Sequence, residues 1–221
     1  MRLVVFDLDH TLLTGDSDVL WCEFLLAGGE LDRAAFGARN AQVEQGYRDG
    51  SITVQAFSEF YLSTLAGRSK GPLDGLREEF MRACIVPRIP ASARALVEAE
   101  RRADALLVMS TATNRYLTAL TAVELGFEHL IATEPEESEG VFSGRSSGVL
   151  NMREGKVLRL RAWLEAMGLP VELLSQATFY SDSINDLPLL QAVARPIAVD
   201  PDARLLAHAR ASGWQVLRLD R

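Results

Sequence analysis

Apolar residues recur along this chain in two rhythms, and the switch between them divides it. Leu3, Val4, Val5 and Phe6 form an unbroken apolar run, which reads as a short strand buried on both faces. Asp7 and Asp9 follow at once; charges cannot be hidden cheaply in such a strand, so they belong just past its C-terminal end. After the polar stretch 14–18, Asp16 or Ser17 can cap a helix over 18–27. Val19, Leu20, Trp21, Phe24, Leu25 and Leu26 cover most of its circumference, so it is expected to be buried on more than one side. Further helices are predicted over 31–47, stopped by Asp49-Gly50, over 54–65 behind a Thr53 cap, and over 73–83. Residues 15–86 therefore read as an all-helical block, closed by Pro87 and Pro90.

Beyond Pro90 short apolar runs alternate with helical periods. Strands are predicted at 105–109, 130–132, 178–180, 196–199 and 214–219. Helices are predicted at 91–102, 115–125, 155–167, 201–211 and in a short piece ending at Val193. Residues 133–152 read as an excursion with weak hairpin character around 141–144, and the acidic run 134–139 as a solvated loop. Strands alternating with helices give right-handed βαβ units and a parallel sheet. The expected fold is α/β, a Rossmann-like parallel sheet flanked by helices, formed by residues 1–14 and 87–221 with the helical domain 15–86 inserted.

Composition narrows the function. With 221 residues, 48% hydrophobic and 24% charged, the chain can bury a sizeable core. A net charge of −7 argues against nucleic acid or an anionic membrane as a partner. No apolar run is long enough to span a bilayer, and Asp7 and Asp9 interrupt the start too early for a secretory signal. Cys22 and Cys84, far apart, read as free thiols of a reducing compartment, so a cytoplasmic protein is expected. His10, His129 and His208 fit no metal spacing; Arg101, Arg102, Arg159 and Arg161 read as solvated helix faces.

Four polar clusters each fall just after a predicted strand or at a helix start: Asp7/Asp9/Thr11, Ser110, Lys156 and Asp182/Asn185/Asp186. Loops after the strands of a parallel sheet converge on one edge. Close carboxylates repel unless a cation sits among them, and oxygen-only ligation selects a hard ion, Mg²⁺. A hydroxyl and an ammonium beside that ion suit a phosphate.

These clusters resemble the haloacid dehalogenase superfamily of phosphohydrolases. Asp7-Leu8-Asp9-His10-Thr11 matches its D-x-D-x-T signature. Ser110, Lys156 and Asp182-Ser183-Ile184-Asn185-Asp186 resemble its second, third and fourth motifs, in the right order. Ser181 departs from the Gly usual before the fourth, which puts a side chain where the backbone is normally bare. The helical insert resembles the type-1 cap of the phosphoserine-phosphatase-like subgroup.

The resemblance implies a Mg²⁺-dependent phosphatase acting on a small phosphorylated metabolite. Asp7 is then the nucleophile that forms an aspartyl phosphate, and Asp9 the general acid and base. Asp7, Asp182 and the Asp9 backbone carbonyl hold the metal. Ser110 and Lys156 grip the phosphate, Asn185 helps to orient it, Thr11 ties down the loop, and Asp186 fixes Lys156 or metal waters. Asp16 falls where phosphoserine phosphatases carry a Glu that receives the substrate ammonium. Their carboxylate-binding Arg has no counterpart between Ser51 and Ala66, where Glu59 falls instead. An amine-bearing phosphomonoester without a carboxylate is therefore expected, with histidinol phosphate the named guess. Phosphoserine, or transfer of the phosphoryl group to an alcohol, is the alternative. A phospho-switch of the receiver type and a metal-free dehalogenase are the other classes to separate; Asp9 argues against the first and the Asp9/Asp182/Asp186 set against the second.

Overall fold

A computed structural model describes residues 1–49 and 51–221. Its sheet has seven strands: β1 (Arg2–Phe6), β2 (Ala105–Asn114), β3 (His129–Ser138), β4 (Val141–Ser147), β5 (Thr178–Ser181), β6 (Arg195–Val199) and β7 (Gln215–Leu217). They lie in the order β4-β3-β2-β1-β5-β6-β7. Every neighbouring pair is parallel except β3 with β4. β1 is central, pairing Phe6 with Met109 on one side and Tyr180 on the other.

The two-residue period of β1 sorts the core into layers. Val4 and Phe6 pack with Met109, Tyr180 and Ile197. That layer is covered by Ala93 and Val97 of one helix and Leu117 and Ala122 of another. Leu3 and Val5 face the opposite layer, with Phe179, Leu160, Leu164, Leu189, Leu190 and Leu205. Helices on both faces of a parallel sheet are what continuous apolar strands require.

Between β1 and β2 the chain is helical: α1 (Ser17–Ala27), α2 (Arg33–Asp49), α3 (Val54–Leu62), α4 (Lys70–Phe80) and α5 (Ala91–Arg102). Gly50, expected to help stop the second helix, lies outside the described residues. Asp16 caps α1 by accepting from Val19 N at 3.0 Å, and Thr53 caps α3. Trp21 stacks on Phe24, meets Phe80 edge-on and donates its Nε1–H to Thr64 Oγ1 at 3.1 Å. Leu20, Trp21, Leu25 and Phe80 belong to the same apolar cluster as Val4 and Phe6, so the inserted helices share a core with the sheet. After α4 the chain continues through a π-turn (Met81–Ile85) and a 3-10 turn (Val86–Arg88) rather than breaking at once. The remaining helices are α6 (Arg115–Glu124), α7 (Glu154–Ala166), α8 (Leu173–Gln176), α9 (Leu187–Ala192) and α10 (Ala203–Ala211).

Residues 133–152 depart from expectation. β3 runs on to Ser138 and β4 returns, forming a twisted arm that reaches the inserted helices. Phe142 is buried at its centre, 4.9 Å from the Tyr116 ring. Phe142 O accepts from Gly67 N at 2.8 Å, and Phe142 N donates to Arg68 O at 3.0 Å. The acidic run is therefore not a solvated loop. Glu134 pairs with Arg115 and Arg159, Glu136 with Arg145, and Glu137 with Lys70. Arg159 is half-buried, its guanidinium on Glu134 and Val149 O, whereas Arg101 is exposed as expected while also donating to Leu125 O at 2.9 Å and Gly126 O at 3.1 Å.

Candidate active site

The ends of β1, β2 and β5, with Thr133 of β3, meet one cavity of about 200 Å³ at the carboxyl edge of the sheet. Asp7, Asp9, Asp16, Lys156, Asp182, Asn185 and Asp186 all line it, as expected for loops that follow parallel strands.

The turn after β1 is tightly wound. The N–H groups of Thr11, Leu12 and Leu13 all point at Leu8 O, at 3.1, 2.8 and 3.0 Å. His10 pays for this with φ of +56°, uncommon for a side-chain-bearing residue. The winding puts Asp7 and Asp9 in different environments. Asp7 Oδ1 meets Lys156 Nζ at 2.7 Å, and its Oδ2 accepts from Thr11 Oγ1 at 3.1 Å. The Asp9 carboxyl turns away toward the helical insert. Its Oδ1 accepts from Ser17 N at 2.7 Å and Ser17 Oγ at 2.5 Å; its Oδ2 accepts from Thr113 Oγ1 at 2.8 Å and Thr111 Oγ1 at 3.2 Å.

Lys156 is buried in the first turn of α7, with Nζ 2.7 Å from both Asp7 Oδ1 and Asp186 Oδ2. The preceding Gly155 makes this entry possible, since a Cβ there would lie 2.0 Å from Leu150 O. Ser181, the departure from the family pattern, does not crowd the fourth motif. Its hydroxyl is buried, donates to Asp186 Oδ2 at 2.7 Å and accepts from Ser183 N at 3.2 Å.

Thr11 lies under the cavity rather than in its wall. Its hydroxyl sits 3.1 Å from Asp7 Oδ2 and 3.0 Å from Asp182 Oδ1, and accepts from Asp182 N at 3.0 Å. Ser110 needs correction: it is fully buried, accepts from Asn151 Nδ2 at 3.0 Å, and is not among the residues lining the cavity. β2 continues to Asn114, so side chains alternate past the predicted strand end and the hydroxyls reaching Asp9 are those of Thr111 and Thr113. Asn151 bridges the two strands where their register slips, donating to Thr111 O and Ile131 O at 2.9 Å each.

The sequence reading also missed Asp18. It lines the cavity near Asp16, 3.4 Å from Thr113 Oγ1 and 3.5 Å from Asn114 Nδ2. The signal was present as a second acid at a helix start, where capping explains an acid equally well. Glu59 is not a cavity residue and accepts from Gln55 Nε2 at 2.8 Å.

Crowded, buried carboxylates resist ionisation. Burial pushes Asp7 up to about 7; Lys156 opposes this, and the charges of Asp186 and Asp9 add to it. Burial and the neighbouring Asp7 charge push Asp182 up to about 8, against the bond from Thr11. Asp9 is raised by burial and by Asp16, against the bonds from Ser17 and Thr113. Asp18 is raised well above its ordinary value by burial, then by Asp16 and Asp9. Burial alone would lower Lys156, but Asp186 and Asp7 outweigh it and hold the ammonium above its usual range.

Among the described residues, no three His, Cys, Asp or Glu side chains converge on a point that could hold an ion unaided. Asp7 Oδ2 and Asp182 Oδ1 both approach Thr11 Oγ1, at 3.1 and 3.0 Å, so two carboxylates lie close together at the cavity. Two carboxylates, with the remaining positions left to a carbonyl, waters and phosphate oxygens, suit Mg²⁺.

The model of the haloacid dehalogenase-like hydrolases matches residues 4–191. The chain belongs to that family. It is 38% identical over 218 residues to a histidinol-phosphatase of Neisseria meningitidis serogroup C, covering 98% of each chain. It is 33% identical over 214 residues to phosphoserine phosphatase SerB1 of Mycobacterium tuberculosis, covering 96% of this chain and 68% of that protein. A crystal structure of a Bordetella pertussis protein of unknown function superposes with a TM-score of 0.93 at 44% identity, covering 98% and 97% of the two chains. A substrate-bound phosphoserine phosphatase shares the fold at a TM-score of 0.68 and 13% identity, covering 100% of this chain and 93% of that one. The sheet and its flanking helices are thus those of the phosphoserine-phosphatase-like hydrolases.

Proposed function

We propose that this phosphatase hydrolyses a small amine-bearing phosphomonoester lacking a carboxylate, with Mg²⁺, through an aspartyl phosphate on Asp7. One observation supports it most: a single turn places the two carboxyls in different environments, Asp7 on Lys156 and Asp9 on Ser17 and Thr113. Asp7, held by Lys156 at the cavity wall, attacks phosphorus as a carboxylate. The ester P–O bond breaks, and Asp9, raised by burial and by Asp16, gives its proton to the leaving oxygen. Water then attacks the phosphorus of the aspartyl phosphate and loses a proton to Asp9, and inorganic phosphate leaves with Asp7 restored. Asp7, Asp182 and the Asp9 carbonyl would hold the Mg²⁺, whose charge would offset that of the phosphoryl oxygens. Lys156 and Asn185 orient the phosphate, and Asp186, gripped by Ser181, keeps Lys156 in place.

The cavity's composition supports the substrate class. Residues 15–86 act as the cap, contributing Asp16, Asp18, Phe57 and Tyr61 to the wall. Lys156 is the one Lys or Arg among the described lining residues, and it already has two carboxylate partners. A substrate carboxylate would therefore be buried uncompensated, whereas an ammonium would relieve Asp16 and Asp18. The Neisseria relative's name, histidinol-phosphatase, agrees with this, and histidinol phosphate is the proposed substrate. Two free thiols fit a cytoplasmic site of action.

The test is kcat/KM on histidinol phosphate and on phosphoserine, with EDTA and Mg²⁺ controls. Histidinol phosphate is expected to be preferred by about tenfold or more, as one unpaired buried charge implies. Asp16→Asn should shrink that preference. Equal turnover, or a preference for phosphoserine, overturns the substrate; full activity in EDTA overturns the metal.

A further inference from the structure

The geometry points to Arg221 as a positioning residue that fixes the distance between the two loops proposed to hold the divalent ion; the inference rests on that metal reading. Arg221 lies far from the chemistry in sequence, yet its guanidinium reaches the back of the nucleophile turn. Nη2 donates to His10 O at 2.5 Å and to Thr11 O at 3.1 Å, and Nη1 donates to Leu13 O at 3.1 Å. The N–H groups of Thr11, Leu12 and Leu13 all go to Leu8 O, and Arg221 supplies these carbonyls with donors from outside the turn. Nε meets Asp200 Oδ2 at 2.8 Å. A planar fork with five donors can serve three carbonyls and a carboxylate together; a lysine ammonium with three donors cannot.

Asp200 carries the connection across the site. It follows β6, and its Oδ2 also accepts from Leu219 N at 3.3 Å. Two residues on, Asp202 N donates to Asp182 O at 2.9 Å, and Asp202 Oδ2 accepts from Ile184 N at 2.7 Å. Polar contacts joined by the backbone of 200–202 therefore run from the turn of Asp7 and Asp9, through Arg221 and Asp200, to Asp202 and the loop of Asp182. Thr11 joins the same two loops from the cavity side. Arg221 is the outer brace of a pair, and the gap between Asp7 and Asp182 is set by both.

The test measures Mn²⁺ binding by electron paramagnetic resonance on the full chain without substrate, beside Mg²⁺ activation curves. Arg221→Ala is expected to weaken Mn²⁺ about tenfold or more, the usual effect of losing a residue that orients metal ligands. Its kcat should recover at saturating Mg²⁺, added guanidinium should restore part of the affinity, and Arg221→Lys should restore little. Asp200→Asn, which keeps the side-chain shape, provides a milder break if the alanine variant folds poorly, and should weaken Mn²⁺ severalfold. Wild-type affinity in both variants would overturn the brace. No Mn²⁺ binding by the wild-type protein would overturn the metal site itself and the brace with it.

Discussion

Lys156 shows how much one buried charge can organise. Its ammonium is almost fully enclosed and bonded to two carboxylates, so the three charges stand or fall together. Lys156→Met keeps much of the volume but leaves Asp7 and Asp186 without their cation. Breaking a buried pair from one side costs about 3–5 kcal/mol. Urea unfolding of the metal-free variant should show a loss of that order, along with loss of turnover; a change below about 1 kcal/mol would mean that the carboxylates find other partners. Residues of this kind were legible in the sequence, because the chemistry demands a fixed residue type just past a strand or in a first helical turn. Thr113 and Asp18 were not, because their importance comes from partners that only folding supplies. Ser110 was misread for a related reason. An apolar run marks where β2 begins, but its polar continuation to Asn114 hides where it ends, and therefore which hydroxyls face the cavity.

At the scale of elements, the β3–β4 arm is the part that local pattern revealed least. β4 alternates buried and exposed positions, yet its buried side holds one large apolar residue, Phe142, and a glycine. Periodicity in hydrophobicity is faint when the buried face is so short. Strands β1, β2, β3, β5 and β6 and helices such as α5, α6 and α7 advertise themselves because each buries at least two apolar residues. The arm matters because it joins the sheet to the inserted helices through Gly67, Arg68 and Phe142. Gly144 packs there too, with φ of +83° and no room for a Cβ, which would meet Ala66 Cβ at 2.7 Å. Phe142→Ala should cost about 3–5 kcal/mol in denaturant unfolding. It should also speed amide hydrogen exchange at Gly67, whose N–H is bonded to the Phe142 carbonyl. Unchanged exchange at Gly67 would show that the arm does not hold the insert.

For the whole molecule, the crowded carboxylates link stability to pH and to the proposed metal. Asp7 and Asp182 are pushed up to about 7 and about 8, chiefly by burial, from an ordinary value of 3.8. In the unfolded chain both lose their protons near the ordinary value. Between about pH 4 and pH 8 the folded, metal-free protein therefore holds more protons than the unfolded chain. Stability therefore falls as pH rises through that window, because ionisation is resisted only in the folded state. Asp9, Asp16 and Asp18 are raised as well and act in the same direction. On the proposed metal site, a divalent ion would compete with those protons for Asp7 and Asp182, and its affinity for the folded state would rise over the same window. Ligand binding stabilises by an amount that grows with the ratio of concentration to Kd. Millimolar Mg²⁺ should thus raise Tm by several degrees near pH 8 and by much less near pH 5.5. Asp182→Asn should flatten both the metal-free pH slope and the Mg²⁺ response, since it removes one of the two titrating carboxylates proposed to hold the ion. A Tm gain equal at both pH values would place the ion elsewhere than between Asp7 and Asp182.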